Sequence, residues 1–383
     1  MPDLTLNGTR TTAEDLANGE DAIIGQNGAL LVLNEDALDG TGSNNVFVAG
    51  SIIAASSSAI DLNSVTDSTV LISSTASILA ASDGVTGDLS AVSSSLDVQN
   101  NGTIEATFDA VDLRGFAGEG TLNFFNSGTV IGGSDGLVIG FADDVFVTNT
   151  GTITGLSAAI ATDVGNGVIR IVNSGTIIGA EGRALSSDNN AAITIVNSGF
   201  IDGRLDFGDV ADVYNGRFGT IEGDINGGLG NDILKGGDGT EIMFGQEDND
   251  LLMGRGGDDE LDGGSGSDTL MGGKGDDLLL GGGKADQLHG GKGDDTLDGG
   301  GGADTFFFKR AAGDDRVTGF QDGSDKLNLE DFDLQNFNAL QSAGALSNLS
   351  GAALIDLEAI GGSGSIIIDG IQVADLSAAD FVF

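Results

Sequence analysis

The sequence of 383 residues contains no cysteine and no tryptophan, and only one proline, one tyrosine and one histidine. Without cysteine there are no disulfides, no thiolate metal sites and no cysteine nucleophile, so any cross-linking of the chain must come from elsewhere. A single proline excludes collagen-like and proline-rich linker architectures. Basic residues are scarce too: 15 Lys and Arg stand against 59 Asp and Glu, a net charge of −44. That charge repels phosphate backbones and anionic lipid, which argues against a nucleic-acid partner. It leaves cations, positively charged surfaces, or metal-bridged copies of the chain itself, with divalent cations first. No apolar run reaches the roughly 18 residues of a membrane span. Met1-Pro2-Asp3-Leu4-Thr5 has neither the basic nor the apolar region of a cleaved signal peptide.

What is abundant is glycine, 66 residues, alongside a hydrophobic content of 39% of which little is aromatic. The core must be aliphatic and the turns frequent. Two internal periods organise the chain. The first covers residues 46–226. Gly50, Ala76, Gly102, Gly128, Gly151, Gly175, Gly199 and Gly219 recur at 20 to 26 residues, each followed two positions later by Ile52, Ile78, Ile104, Val130, Ile153, Ile177, Ile201 or Ile221. Pairs such as Leu96/Val98 and Ile169/Ile171, six and four residues before an anchor, alternate with the period of a strand. This pattern predicts a right-handed parallel β-helix with rungs of about 24 residues, aliphatic columns inside, and Thr103, Thr129, Thr152, Thr176 and Thr220 outside. Asn100, Asn126, Asn149, Asn173 and Asn197 are expected at turns with left-handed backbone, each amide bonding the rung above. Residues 1–45 read as an N-terminal cap.

The second period is shorter and stricter. From Gly227 to Phe307 run nine contiguous nonapeptides, from GGLGNDILK through GGSGSDTLM and GGKGDDLLL to GGGGADTFF, with the consensus G-G-x-G-x-D-x-U-x, where U is large and apolar. The segment resembles the repeats-in-toxin domains of bacterial secreted proteases, epimerases and cytolysins, whose repeats fold as a calcium-binding parallel β-roll. Calcium takes six to eight oxygens. Glycines aim backbone carbonyls at one point, and position 6 adds a carboxylate. Two nonapeptides make an 18-residue coil, so position-6 acids two repeats apart stack: Asp232, Asp250, Asp268, Asp286 and Asp304 on one side, Glu241, Asp259, Asp277 and Asp295 on the other. The resemblance implies ions between stacked turns, about seven at most. Carbonyls would come from near Gly227, Gly230, Gly263, Gly266, Gly272, Gly275, Gly290, Gly293, Gly299 and Gly302. Residues 263–280 and 290–304 fit best. Gln246, Asp248, Arg255 and Lys284 replace turn glycines, and Glu241 replaces Asp. Without calcium the facing carboxylates repel and the glycine-rich chain has much entropy to lose, so the roll is expected to fold only on binding.

Residues 308–383 read as a β cap that closes the open edge of the roll. They also resemble the flank found in substrates of the type I secretion machinery, ending in Asp380-Phe381-Val382-Phe383. The resemblance implies a secreted, extracellular protein, at the cell surface or free. Catalysis is the main alternative, since parallel β-helices carry polysaccharide lyases and hydrolases. Residues 1–226 have no Lys or His, however, and the six arginines Arg10, Arg114, Arg170, Arg183, Arg204 and Arg217 are scattered. A lyase or epimerase lacks its base. A carboxylate-only glycosidase would have to draw on Asp143-Asp144 or on Asp206, Asp209 and Asp212. His289, at the tail of a nonapeptide, is a poor ligand or base. The composite expectation is a non-enzymatic, calcium-folded structural or adhesive protein that forms homo-oligomers or polymers. A monomeric adhesin or an ice-binding face is the lesser alternative.

Overall fold

The structure, a computed structural model, describes all residues except 1–3, 17–19, 34, 66, 90–93, 115–119, 141–143, 163–166 and 188–189, and only the backbone of 63–65, 88, 89 and 94. The chain divides into two compact units: Met1–Val210 with Gly219–Gly223, and Ala211–Phe218 with Asp224–Phe383. No helix among the described residues is long and apolar enough to cross a membrane.

The first unit is a parallel β-helix. A typical rung contributes three strands, as in Asp67–Ile72, Ser77–Ala80 and Val85–Leu89. Each pairs in parallel with its counterpart one rung away. The predicted columns stand in register, Ile78 on Ile104, Val130 on Ile153 and Ile177 on Ile201, and all are buried. Within the segment read as a cap, Leu4–Leu6, Ala22–Ile24 and Asn45–Val48 already stack in parallel, and Leu30 lies under Ile52. Among the described residues the ladder is therefore already present at Leu4, where the Asn-Ser-Gly signature has not yet appeared.

The asparagines hold the rungs together differently from the expectation. Asn100, Asn126, Asn149, Asn173 and Asn197 are buried, and the Nδ2 of each of the first four donates to the next Oδ1 at 2.8 Å, while Asn197 Nδ2 donates to the Thr220 carbonyl. The bonding along the column is as expected. The left-handed backbone is not: these residues end strands and are absent from the positive-φ positions. The anchor glycines beside them are required by close approach instead. A Cβ on Gly128, Gly151 or Gly175 would lie about 2 Å from the carbonyl oxygen of the preceding anchor.

In the second unit, strands of alternate nonapeptides build two parallel sheets. Ile233–Lys235, Leu251–Met253, Thr269–Lys274, Gln287–Lys292 and Thr305–Phe307 stack in one, Ile242–Glu247, Glu260–Ser265, Leu278–Leu280 and Thr296–Asp298 in the other. Every U side chain, from Leu234 to Phe306, is fully buried, each stabilising the roll by about 1.5–3 kcal/mol. The parallel ladder ends where Ser363–Asp369 pairs in parallel with Ala311–Thr318 and antiparallel with Ala352–Asp356. Leu346–Leu349 completes this antiparallel layer. Phe381–Val382 pairs with Lys326–Asn328, so the chain's last residues are woven into the cap.

Candidate calcium centre

Six of the nonapeptides turn on the glycine at position 2. Gly228, Gly264, Gly273, Gly282, Gly291 and Gly300 at position 2 take φ between 77° and 124°, a region that costs an L-residue roughly 1–2 kcal/mol. The four departures from the consensus, Gln246, Asp248, Arg255 and Lys284, adopt φ of 75° to 82° nonetheless. The stacked neighbours impose the turn even where the sequence does not favour it.

This geometry puts the nine predicted acids into two buried rows. Asp232 N–H donates to Asp250 Oδ1, Asp250 to Asp268, Asp268 to Asp286 and Asp286 to Asp304, at 2.7 to 2.9 Å. Opposite, Glu241 donates to Asp259, Asp259 to Asp277 and Asp277 to Asp295. The rows run without interruption through the irregular repeats 236–262 and 281–289.

One oxygen of each carboxylate is thus satisfied. The other, Oδ2 of Asp232, Asp250, Asp259, Asp268, Asp277, Asp286, Asp295 and Asp304, is buried with no hydrogen-bond partner. Only Glu241 escapes, its longer arm accepting from Gly237 N–H at 2.9 Å. Eight orphaned carboxylate oxygens in one small unit are far more than a folded protein tolerates unless something binds them.

The position-1 glycines show where that something would sit. A Cβ on Gly245 would lie 2.3 Å from Asp250 Oδ2 and 2.6 Å from the Gly263 carbonyl. The same convergence recurs at Gly227, Gly263 and Gly281. Orphan carboxylate and neighbouring carbonyl face one space that any side chain would fill. Among the described residues no three His, Cys, Asp or Glu side chains converge as a metal cluster, so carbonyls must supply most of the ligands. An all-oxygen set of that kind suits a hard cation such as calcium.

Burial, with like-charge neighbours adding to it, drives the carboxyls far above their ordinary range. Asp232 is pushed up to about 8, Asp259, Asp277 and Asp286 to about 7, and Asp250, Asp295 and Asp304 to about 6. Glu241 and Asp268 move the same way, burial again the main cause. A bound dication would reverse that bias.

The rows are longer than the nine repeats. Asp295 N–H donates to Asp315 Oδ1 at 3.1 Å, Asp304 N–H to Asp325 Oδ1 at 3.0 Å, and Asp212 N–H to Asp232 Oδ1 at 2.7 Å. Residues 310–318 (RAAGDDRVT) and 320–328 (FQDGSDKLN) keep Gly, Asp and an apolar residue at positions 4, 6 and 8. Val317 and Leu327 stack on Leu297 and Phe306. They escape sequence reasoning because two residues and then one interrupt the nine-residue spacing and position 1 is no longer Gly. The G-x-D-x-U core at 313–317 and 323–327 is the signal that finds them. At Asp325 the row closes on protein, since Oδ2 accepts from Gln321 N–H at 2.8 Å. An exposed second column, Asp258, Asp276, Asp294 and Asp314, also goes unannounced by the consensus; the first three carboxylates accept from the position-5 amide one coil on, and Asp314 accepts from the Ser365 hydroxyl.

Asp206 is engaged by Arg183 and Arg204, Arg114 is held by Asp109 and Asp112, and Asp143 lies outside the described residues.

The model of the RTX calcium-binding nonapeptide repeat, built of four copies, matches residues 223–252, 244–279 and 280–308. No curated protein matches the chain. A solved structure, the AlgE6R3 subunit of the Azotobacter vinelandii mannuronan C5-epimerase, is 26% identical over 38% of this chain and 79% of its own, with a TM-score of 0.26. Residues 223–308 are therefore an array of RTX calcium-binding repeats, preceded in the chain by a parallel β-helix.

Proposed function

We propose that the protein is a secreted structural or adhesive component of the bacterial cell surface or extracellular matrix, folded by calcium, self-associating and without catalytic activity of its own. The observation that carries this reading is the double row of buried carboxylates, eight of the nine with one oxygen that nothing in the protein satisfies. About seven ions among the nine nonapeptides would offset about fourteen of the 44 excess negative charges while fixing the turns. At the calcium concentration of the cytosol the roll stays open for export by the type I machinery, and outside the cell it closes.

Self-association is supported by the outward columns of the β-helix. Ile23 lies beside Phe47, both more than a third exposed, and Leu79, Phe125, Ile131 and Phe146 are comparably open on other rungs. Regular sheets with exposed apolar side chains are surfaces that other copies can cover. The export reading is supported by Asp380, which is buried and accepts from Ser377 and Gly323 in the folded cap, so its carboxylate is accessible only before the cap closes.

Electron microscopy and light scattering of the full chain, titrated with calcium, test the proposal. Filaments or sheets appearing with calcium are the expected result. A strictly monomeric particle at saturating calcium would reduce the protein to a binding module, and turnover of an acidic polysaccharide by it would overturn the non-enzymatic reading.

A further inference from the structure

In a chain with only 15 cationic residues, five line one groove of about 510 Å³ in the roll unit: Arg255, Lys274, Lys292, Lys309 and Arg310. They are brought together by the coil. Lys274 N–H bonds the Arg255 carbonyl, Lys274 is the register partner of Lys292, and Gly293, next to Lys292, bonds Ala312 in the turn that Lys309 and Arg310 enter. One cation per coil over three coil steps makes a row about 14 Å long. Arg255 donates to the Gly236 carbonyl and Arg310 is paired with Asp333. Among the described residues none of the three lysines is in an ion pair. Their ammonium groups are exposed, and the acids in the lining are Asp315, which is buried, and Asp331.

The floor is a column of side chains pointing out of one sheet, Met271, His289 and Phe307, in register from coil to coil. His289 and Phe307 stack face to face, centroids 4.1 Å apart and planes 13° from parallel. Their faces are turned toward each other and along the column, so the groove meets ring edges and C–H groups. Burial holds the His289 imidazole below its ordinary range, with Lys309 adding to the effect, which leaves the lysines as the source of charge.

We propose that this groove binds a linear acidic polysaccharide, its carboxylates against Lys274, Lys292 and Lys309 and the C–H faces of its sugar rings on the Met271, His289 and Phe307 column. Three features select this occupant. A row of like cations at single-coil spacing fits a polymer carrying one charge per unit. An extended acidic peptide repeats its same-face side chains every 6.6–6.8 Å or so and falls out of step with coils about 4.8 Å apart. A single-stranded nucleic acid needs open aromatic faces for its bases, and the column offers edges. Bound calcium would neutralise the carboxylate rows behind the turns and strengthen the field of the lysines. The proposal rests on the calcium-folded roll and is independent of self-association.

Calorimetric titration of the full chain in saturating calcium with hexagalacturonate, and with its methyl ester as the uncharged control, tests the groove. Protease protection of the roll is measured in parallel. The acid form is expected to bind, more weakly in high salt, and the ester to fail. K274Q/K292Q should lose about tenfold in affinity while keeping calcium protection, and K274R/K292R should keep both. A protected roll that does not bind, equal binding by K274Q/K292Q, equal binding of the ester, or tighter binding of a six-residue oligoglutamate or oligothymidylate would overturn the assignment. A roll that calcium does not protect would sink the calcium reading and the groove with it.

Discussion

The two units stack short parallel strands in register over buried aliphatic columns, yet their turns are completed differently. In the β-helix the turn group is an asparagine amide, both donor and acceptor, so each side chain satisfies the next along the column. In the roll it is a carboxylate, an acceptor only. After one backbone N–H has been accepted, nothing remains to pair the second oxygen. A stacked column of amides is closed by itself, whereas a stacked column of carboxylates needs a cation from outside. The amide column is thus complete in itself, and the carboxylate rows leave a line of acceptors for a cation.

Calcium removal should break the comparison most visibly. Chelation is expected to open residues 227–383 to protease throughout the nonapeptides while 45–225 stay protected, since the aliphatic and amide columns need no ion. Tyr214, the sole tyrosine, is buried in the roll unit and pairs with Leu234, so with no tryptophan present its fluorescence reports this unit alone. Equal protection of the nonapeptides with and without calcium would remove the distinction between the units.

Single substitutions sharpen it. Asp277→Asn removes a charge that burial penalises and should make the calcium-free roll more ordered. It also removes a ligand, and should raise the calcium midpoint on the order of tenfold. The effect thus changes sign with calcium. Asn149→Ala in the β-helix, which strips the amide column of a buried partner on each side, should cost about 1–3 kcal/mol at any calcium concentration. Thermal unfolding of both variants in chelator and in calcium separates the two patterns.

Protons are a weaker substitute for calcium. Burial raises every row carboxyl, to about 6 for Asp250 and Asp304, about 7 for Asp277 and about 8 for Asp232 in the folded roll, against about 3.9 for an unfolded Asp. Between pH 4 and 8 or so the folded state therefore holds more protons, and stability without calcium falls as pH rises through that window. The proton-linked gain is fully present below about pH 4 and gone above about pH 8. Acidifying the calcium-free protein should restore partial order to the roll, read by Tyr214 fluorescence. In calcium, the midpoint should move to higher concentration as pH drops below about 7, because protons compete for the same oxygens. The amide column of the β-helix has no such dependence.

Periodicity made most of this architecture legible. The inward columns from Ile52 to Ile221 and from Leu234 to Phe306, and both acid rows, follow from counting, because a solenoid converts a sequence interval directly into a stacking partner. What counting missed has physical causes. Asp315 and Asp325 lie beyond insertions that the coil absorbs at the turn, which breaks the interval and leaves the register intact. The backbone of Asn100 and its equivalents is set by the strand they end, and the Asn preference for left-handed turns does not prevail there. The lysine row needs residues 17 to 19 apart to be read as neighbours even where their position in the repeat shifts, as from Arg255 to Lys274. The antiparallel closure at Ala352–Asp356 has no repeat to announce it.

The smallest expected effect concerns the irregular turns. Lys284 holds φ of 80° at position 4 of its nonapeptide, which costs a non-glycine residue roughly 1–2 kcal/mol. The preceding residue, Gly283, bridges Ser265 on one side and Gly301 on the other, and Lys284 N–H donates to the Gly301 carbonyl, so the turn is imposed from both sides and its strain persists in the folded state. Lys284→Gly relieves that strain and also frees the unfolded chain, and the two effects oppose each other. The net gain should be small, about 0.5–1 kcal/mol, and confined to the roll. It would appear as a modest fall in the calcium midpoint with the stability of the β-helix unchanged. Lys284 lies outside the proposed polysaccharide groove, so affinity for hexagalacturonate at saturating calcium should not move. A rise in the calcium midpoint would show that the Lys284 side chain, whose charge favours ionised Asp268 and Asp286, matters more to the rows than the backbone strain it brings.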